Sequence, residues 1–398
     1  MTLRARELSR IPSDLLDRRP GVVWWSPTIK LLGFGALHRL EVGRGPARFE
    51  QARLGFQRWQ EDTGVEAGDD LAPVAFASFS FDNDSADSVL LIPQLTLVIE
   101  GERAYTVSTE DADPAVPDIS PTRLGADGDR PRFAGSSLPD HLWLIAVARV
   151  LEEIAQGHVE KVVLARDHAL WSKRPFDPHH ILERLRSRFP GCYLYLVDGM
   201  VGASPELLIR RRGLDVASCP LAGSIGRSED PEEDARLAKV LLTSEKDQRE
   251  HALAAASVGR VLGQVCRSLN RTGTPEILQL ANVQHLATAF SGTLAEPAHV
   301  LDLVARLHPT AAVAGEPTVA ALALLTELES MQRGRYAGPV GYFDADGNGE
   351  FAIALRCAEL SGARARLFAG AGLVEGSVPE DELEETRLKL QAMLSALD

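Results

Sequence analysis

"GPVGYFDADGNGEFAIALRCAEL", Gly338 to Leu360, decides how this chain is built. Apolar runs flank Ala345–Glu350, a cluster of Asp, Gly and Asn suited to a tight reversal. Two strand-like runs joined by so short a turn must lie side by side and antiparallel. Further strand patterns stand at "VEKVVLARDHAL" (Val159–Leu170), "CYLYLVDGMVGASPELLIRRRG" (Cys192–Gly213) and "VQHLATAFSGTL" (Val283–Leu294). Between them, "DHLWLIAVARVLEEIAQG" and "HHILERLRSRFP" carry helical periodicity, as does a long stretch from Asp230 through "SEKDQREHALAAASVGRVLGQVCRSL". Helices and hairpins alternate without a βαβ rhythm, which predicts an α+β fold of stacked, largely antiparallel sheets.

Toward the N-terminus, "GVVWWSP" and "SVLLIPQLTLVIEG" read as strands and "ARFEQARLGFQRWQED" as a helix. Asp111–Asp140, rich in Pro, Gly, Asp and Ser, reads as a linker or surface loop. It separates an N-terminal part, residues 1–130, from a part spanning 131–398.

Forty-two Lys and Arg against 56 Asp and Glu leave a formal charge of -14, which argues against a nucleic-acid or anionic-membrane surface. An anionic substrate would need a local basic pocket. No run approaches the roughly 20 apolar residues of a membrane span, and no signal-type segment follows the first residues. The expectation is a soluble, cytoplasmic protein. Cys192, Cys219, Cys266 and Cys357 are far apart and form no CxxC pair, so they read as thiols rather than a disulfide or zinc framework.

The last helical stretch, "ELEETRLKL", admits two readings. Glu385 and Lys389 are four apart, as in a surface ion pair. Helical phase, however, puts Glu382 and Glu385 on the flank of the apolar stripe, with Glu384 pointing away. In "KDQREHALAAASV", Asp247 and Glu250 likewise border a small-residue face shared by His251, Ala254 and Val258. Two helices that each turn an acid pair inward could supply oxygen ligands to Mg²⁺; the alternative is a pair of acids at the rim of a packing surface.

Other residues invite chemistry one at a time. Lys161 opens an apolar strand, where a half-buried lysine can act as a base, although a strand-edge lysine in water is the simpler reading. Glu206 follows a Gly-Ala-Ser-Pro turn and could project into a cavity. "PLAGSIG" and "AGAGLVEGS" are turns able to bring backbone N–H groups to an anion. Arg356 lies inside an apolar run, where an arginine is rarely buried without an anion to meet. His308 and Tyr336 stand among turn residues.

In this order, "KVVLAR", "GASPELL", "PLAGS", "EDARLAKVLLTSEKDQREH", "VQHLAT", "LHPT", "RGRYAGPVGY", "IALR", "AGAGLVEGS" and "ELEETRLK" resemble the chorismate-utilising enzymes: anthranilate synthase component I, aminodeoxychorismate synthase component I, isochorismate synthase and salicylate synthase. The resemblance covers roughly Phe133 to Leu397; before it, "WWSP" and "SFSFD" look only loosely like the N-terminal half of isochorismate synthases. It implies an active site between the sheet layers, with Mg²⁺ ligated by Glu250 and Glu385 and reached through water by Asp247 and Glu382. It also implies that Tyr336, Arg356, Lys389 and the backbone of Gly370 and Gly372 hold the enolpyruvyl carboxylate, that Gly223 and Ser224 line the ring pocket, and that His285 lies near the ring.

Members that add ammonia resemble one another in lacking a base where this chain has Lys161, and aminodeoxychorismate synthases carry a lysine where it has Ala222. The resemblance is therefore strongest to isochorismate synthases: water adds at ring carbon 2 and the carbon 4 hydroxyl leaves, with Lys161 as general base and Glu206 as general acid. Salicylate synthase, which goes on to eliminate pyruvate, and a non-catalytic chorismate-binding subunit are the alternatives. A monomer without a glutamine amidotransferase subunit is expected. The chain departs from the family pattern at Ser224, Ile225, Ala311 and Ala314, where threonine, arginine, proline and glycine are common.

Overall fold

The computed structural model describes residues 4–8, 15–64, 73–108 and 130–398. Most of the proposed linker, residues 111–129, lies outside them; its end forms the strand Arg132–Gly135.

The hairpin read from the sequence is present. Pro339–Asp344 pairs antiparallel with Gly349–Ile353, Tyr342 opposite Glu350. Asp344 fixes the reversal by accepting the backbone N–H groups of Asp346 (3.0 Å) and Asn348 (2.8 Å), while Gly347 supplies the left-handed φ of 76°.

Every strand pairing among the described residues is antiparallel, and a three-stranded sheet, antiparallel as well, stands apart from the large network. One arm of the network runs through Arg132–Gly135, Lys161–Trp171, Arg364–Leu373, Cys357–Ser361, Met200–Ser204, Tyr193–Val197, Val22–Trp25 and Lys30–Glu41. The other runs through Val74–Ser78, Pro339–Asp344, Gly349–Ile353, Leu207–Arg212, Asp215–Cys219, Phe290–Leu294 and Cys266–Arg271. Val89–Glu100 joins them by pairing with both Lys30–Glu41 and Val74–Ser78.

The arms face each other. Trp24 Nε1 donates to Glu350 Oε1 at 3.0 Å, and its ring lies 6.2 Å from that of Tyr342. Alternation along each strand decides which core a side chain enters. Val22 and Trp24 join Phe76, Phe343 and Phe351 between the arms. Val23, Leu194 and Leu196 turn the other way, against Ile181, Leu182 and Leu185 of the helix Pro178–Arg188 and Leu390 and Met393 of the helix Pro379–Leu397. Strands buried on both faces explain the unbroken apolar runs of the sequence. The N-terminal strands pair directly into both arms, Val23 opposite Leu196 and Phe76 opposite Tyr342.

Three readings of single elements are corrected. Cys192–Gly213 is three strands rather than one, turning at Asp198–Gly199 and at Pro205–Glu206. The long helical stretch breaks at Ser244, whose Oγ accepts the Asp247 N–H (3.2 Å) and starts a second helix, Glu245–Val265; "CRSL" then enters a strand. "VQHLATAFSGTL" divides between two sheets: Val283–Ala287 lies between Leu221–Gly226 and Glu276–Gln279 in the small sheet, whereas Phe290–Leu294 belongs to the second arm.

Two crossings between the arms matter most. The chain passes from first to second arm at Pro205–Glu206 and back at Ala354–Arg356, and the crossings are bonded together: Ile353 N–H donates to Glu206 O (3.2 Å) and Ala203 N–H to Arg356 O (3.1 Å).

Candidate active site

Where the crossings meet, a chamber of about 50 Å³ opens. Glu206 comes from one crossing and Arg356 from the other. Gly370 and Gly372 enter from Arg364–Leu373, Gly223 and Ser224 from Leu221–Gly226, His285 from Val283–Ala287, Glu250 and Lys389 from the two acid-bearing helices, and Tyr336 from the turn before Pro339. A second, outer chamber of about 340 Å³ shares Ser224 with it and is lined by Asp247, Glu382, Glu385, Lys246 and Ile225. Lys161 reaches neither wall directly; it lies behind Glu250.

Glu206 is buried, and removal from water pushes its carboxyl up to about 8 despite the Leu221 N–H and the cations Lys161, Arg356 and Lys389 nearby. It therefore holds its proton at neutral pH. Lys161 is 0 % exposed, which excludes the strand-edge reading. Its Nζ lies 3.2 Å from Glu250 Oε1 and donates to the Glu250 carbonyl at 3.5 Å. Burial pushes Glu250 up, but the ammonium groups of Lys161, Lys246 and Lys389 outweigh it and hold the carboxyl below its ordinary value. Glu250 Oε2 also accepts the N–H of Gly223 (3.2 Å), a residue with φ of 72° that stands against Asp247.

Across the chamber, Arg356 Nη2 donates to His285 Nε2 at 3.0 Å. That bond makes Nε2 an acceptor, so the His285 proton sits on Nδ1, 2.9 Å from Ser224 Oγ. Burial and then Arg356 keep His285 neutral. Arg356 is not within a strand, as its apolar neighbours suggested, but at the crossing, with φ of 48°. Tyr336 stacks on Phe368 at 4.9 Å, and Lys389 donates to Gly370 O at 2.9 Å. His308 points elsewhere, toward the Phe81 carbonyl.

The acids are crowded, and each is turned to a lysine: Glu250 to Lys161, Glu385 to Lys389 at 2.5 Å, and Glu382 to Lys246 at 2.6 Å. The Glu385–Lys389 pair of "ELEETRLKL" thus forms, but it is largely buried rather than at the surface. Glu384 does point away, to Arg387. Among the described residues no three acid, histidine or cysteine side chains are gathered into a finished metal cage. The donor set nevertheless fits a hard cation. Burial and then Glu385 push Glu382 up to about 7, and burial is likewise the first cause of a raised Asp247, as expected of oxygen ligands short of positive charge.

Sequence reasoning passed over Arg333 and Lys246. Arg333 lines the inner chamber and is tied to Glu329 and to the carbonyls of Val163 (2.6 Å) and Val313 (2.8 Å). Its signal was an arginine inside the glycine-rich "RGRYAG".

The chorismate binding enzyme family matches residues 126–398. The chain belongs to the chorismate-binding enzymes. Over 96 % of its length, and 86 % of the relative's, it is 35 % identical to the salicylate biosynthesis isochorismate synthase of Pseudomonas aeruginosa. Isochorismate synthase MenF of Bacillus subtilis is 35 % identical over 82 % of this chain and 75 % of that one. The structure of the menaquinone-specific isochorismate synthase MenF from Escherichia coli superposes with a TM-score of 0.82 at 25 % identity, covering 100 % of this chain and 95 % of that one. In this chorismate-binding enzyme the family-pattern departure at Ser224 falls where the chambers join and that at Ile225 on the outer wall, whereas Ala311 and Ala314 are fully buried beside the inner wall.

Proposed function

We propose that this chain isomerises chorismate to isochorismate, as its relatives' names describe. The observation that carries the proposal is Glu206: a buried carboxyl, protonated at neutral pH, on the wall of a chamber that it shares with Glu250, behind which lies a fully buried lysine, Lys161. Hydroxide is a poor leaving group unless an acid meets it, and water a poor nucleophile unless a base takes its proton. Glu206 gives its proton to the departing carbon 4 hydroxyl. Lys161 takes one from the water adding at carbon 2, so the ring exchanges one hydroxyl for another and no redox partner is needed.

Arg356, Tyr336 and Lys389, with the backbone at Gly370 and Gly372, bind the enolpyruvyl carboxylate; His285 and Ser224 fix the guanidinium by their hydrogen bonds. Glu250 and Glu385, with Asp247 and Glu382 behind them, would hold Mg²⁺. When bound, the ion supplies positive charge that anchors the ring carboxylate. An inner chamber of about 50 Å³ is small against ordinary ligand sites of about 300–1,000 Å³, so the substrate draws on the outer chamber as well.

Four free cysteines fit a reducing cytoplasm, and no helix among the described residues is long and apolar enough to cross a membrane. We place the enzyme there as a monomer, its product feeding menaquinone or siderophore synthesis. The test is the product profile from chorismate and Mg²⁺. Isochorismate alone supports the proposal; salicylate with pyruvate, ammonia-dependent anthranilate, or binding without turnover each overturns it.

A further inference from the structure

Three lysines serve the acid cluster, and two have work on the substrate side. Lys246 does not. It is the second residue of the helix Glu245–Val265, and it lines the outer chamber. Its Nζ ends 2.6 Å from Glu382 Oε1 and 4.0 Å from Asp247 Oδ1. Glu382 is 1 % exposed, so without that ammonium its carboxylate would be a buried charge facing Glu385. Lys246 is itself a quarter exposed, so its head can leave for water without breaking the helix.

We propose that Lys246 is a tethered stand-in for the divalent ion. It neutralises Glu382 and Asp247 while the metal is away, keeps the two acid helices from repelling one another, and must yield when the ion arrives. It thereby weakens metal binding in exchange for a metal-free protein that stays folded. The ion and the ammonium are alternatives on the same oxygens: a lysine left on Glu382 puts like charge against the ion, whereas a freed carboxylate supports it. The inference rests on the Mg²⁺ reading above, and one residue sets both effects in opposite directions. A merely structural lysine would, on removal, weaken metal binding along with stability.

The experiment titrates Mn²⁺, an ion that takes the same oxygen ligands, into wild type, Lys246→Met and Lys246→Arg, counting the free ion by electron paramagnetic resonance. Each protein's metal-free melting temperature is measured alongside. Lys246→Met is expected to bind Mn²⁺ about ten-fold more tightly, melt lower without metal and gain more on adding it, while Lys246→Arg follows wild type. Equal or weaker binding by Lys246→Met, or an unchanged metal-free melting temperature, overturns the proposal. If Lys246→Met is unfolded without metal, Mn²⁺-driven recovery of the fold supports it and failure to recover overturns it. No Mn²⁺ binding by wild type and Lys246→Met alike sinks the metal reading instead, and the metal-free melting temperatures still report on the lysine.

Discussion

Gly372 leaves open the space that the Glu250 carboxylate fills: a Cβ there would overlap Glu250 Oε1 and lie 3.2 Å from Lys161 Cε. The obstructing atom is the tip of a side chain rather than backbone, but that tip is buried and paired with Lys161, so Gly372→Ala should displace the group expected to ligate Mg²⁺ and lower stability by straining the pair. Gly341 is different, because a Cβ there meets the backbone at Glu350 and Phe351, which cannot move without breaking the hairpin. We expect Gly372→Ala to fold but melt below wild type, with turnover down by a factor of ten or more, and Gly341→Ala to lose about 1–3 kcal/mol or fail to fold. Thermal melts beside chorismate turnover check the pair; an active Gly372→Ala would mean that Glu250 need not sit where it does.

Lys161→Met tests the buried ion pair. It leaves Glu250 unpaired in the interior, at a cost of about 3–5 kcal/mol. Replacing both partners, Lys161→Met with Glu250→Gln, should recover much of that stability and none of the turnover. Chorismate binding measured by calorimetry should survive in Lys161→Met with Mg²⁺ present, because the carboxylate contacts lie at Arg356, Tyr336 and Lys389. Turnover near the wild-type rate in Lys161→Met would end its assignment as the base.

The class of fold was legible because it rests on local signals: the Asp-Gly-Asn-Gly turn after Asp344 forces an antiparallel pair, and apolar runs at Tyr193–Val197 and Val22–Trp25 announce strands buried on both faces. The inward tilt of Glu382 was legible for a similar reason, since helical phase is a property of adjacent residues. What stayed hidden depends on distant pairing. Nothing near Arg356 says that its strand ends at Ile353 and that the chain crosses between arms there; that follows from the bond between Glu206 O and Ile353 N–H, residues far apart in sequence. Lys246 was overlooked because its partner, Glu382, lies on another helix.

Glu206 gives the pH dependence. Its folded carboxyl titrates at about 8, above the ordinary 4.5, so the native state keeps a proton that the unfolded chain releases. The sign follows: its contribution to stability is fully present below about pH 4.5, declines as pH rises, and is lost above about 8. Activity that needs the protonated acid should fall on the alkaline side around pH 8. Glu206→Gln should remove the alkaline loss of stability attributable to this group and abolish turnover at every pH. Retention of the alkaline limb in Glu206→Gln melts would assign it to another residue.

The metal reading is tested by separating inner from outer acids. If Glu250 and Glu385 touch the ion and Asp247 and Glu382 act through water, the two pairs should fail differently. Asp247→Asn and Glu382→Gln keep the shape of the outer chamber, so turnover should return at about 10–100-fold higher Mg²⁺. Glu250→Gln and Glu385→Gln should not be rescued over that range, since a neutral amide is a poor ligand for a hard cation. Excess EDTA should stop wild-type turnover and added Mg²⁺ restore it. Rates untouched by EDTA would remove the ion from the reaction and leave the four acids as a charge cluster held by Lys161, Lys246 and Lys389.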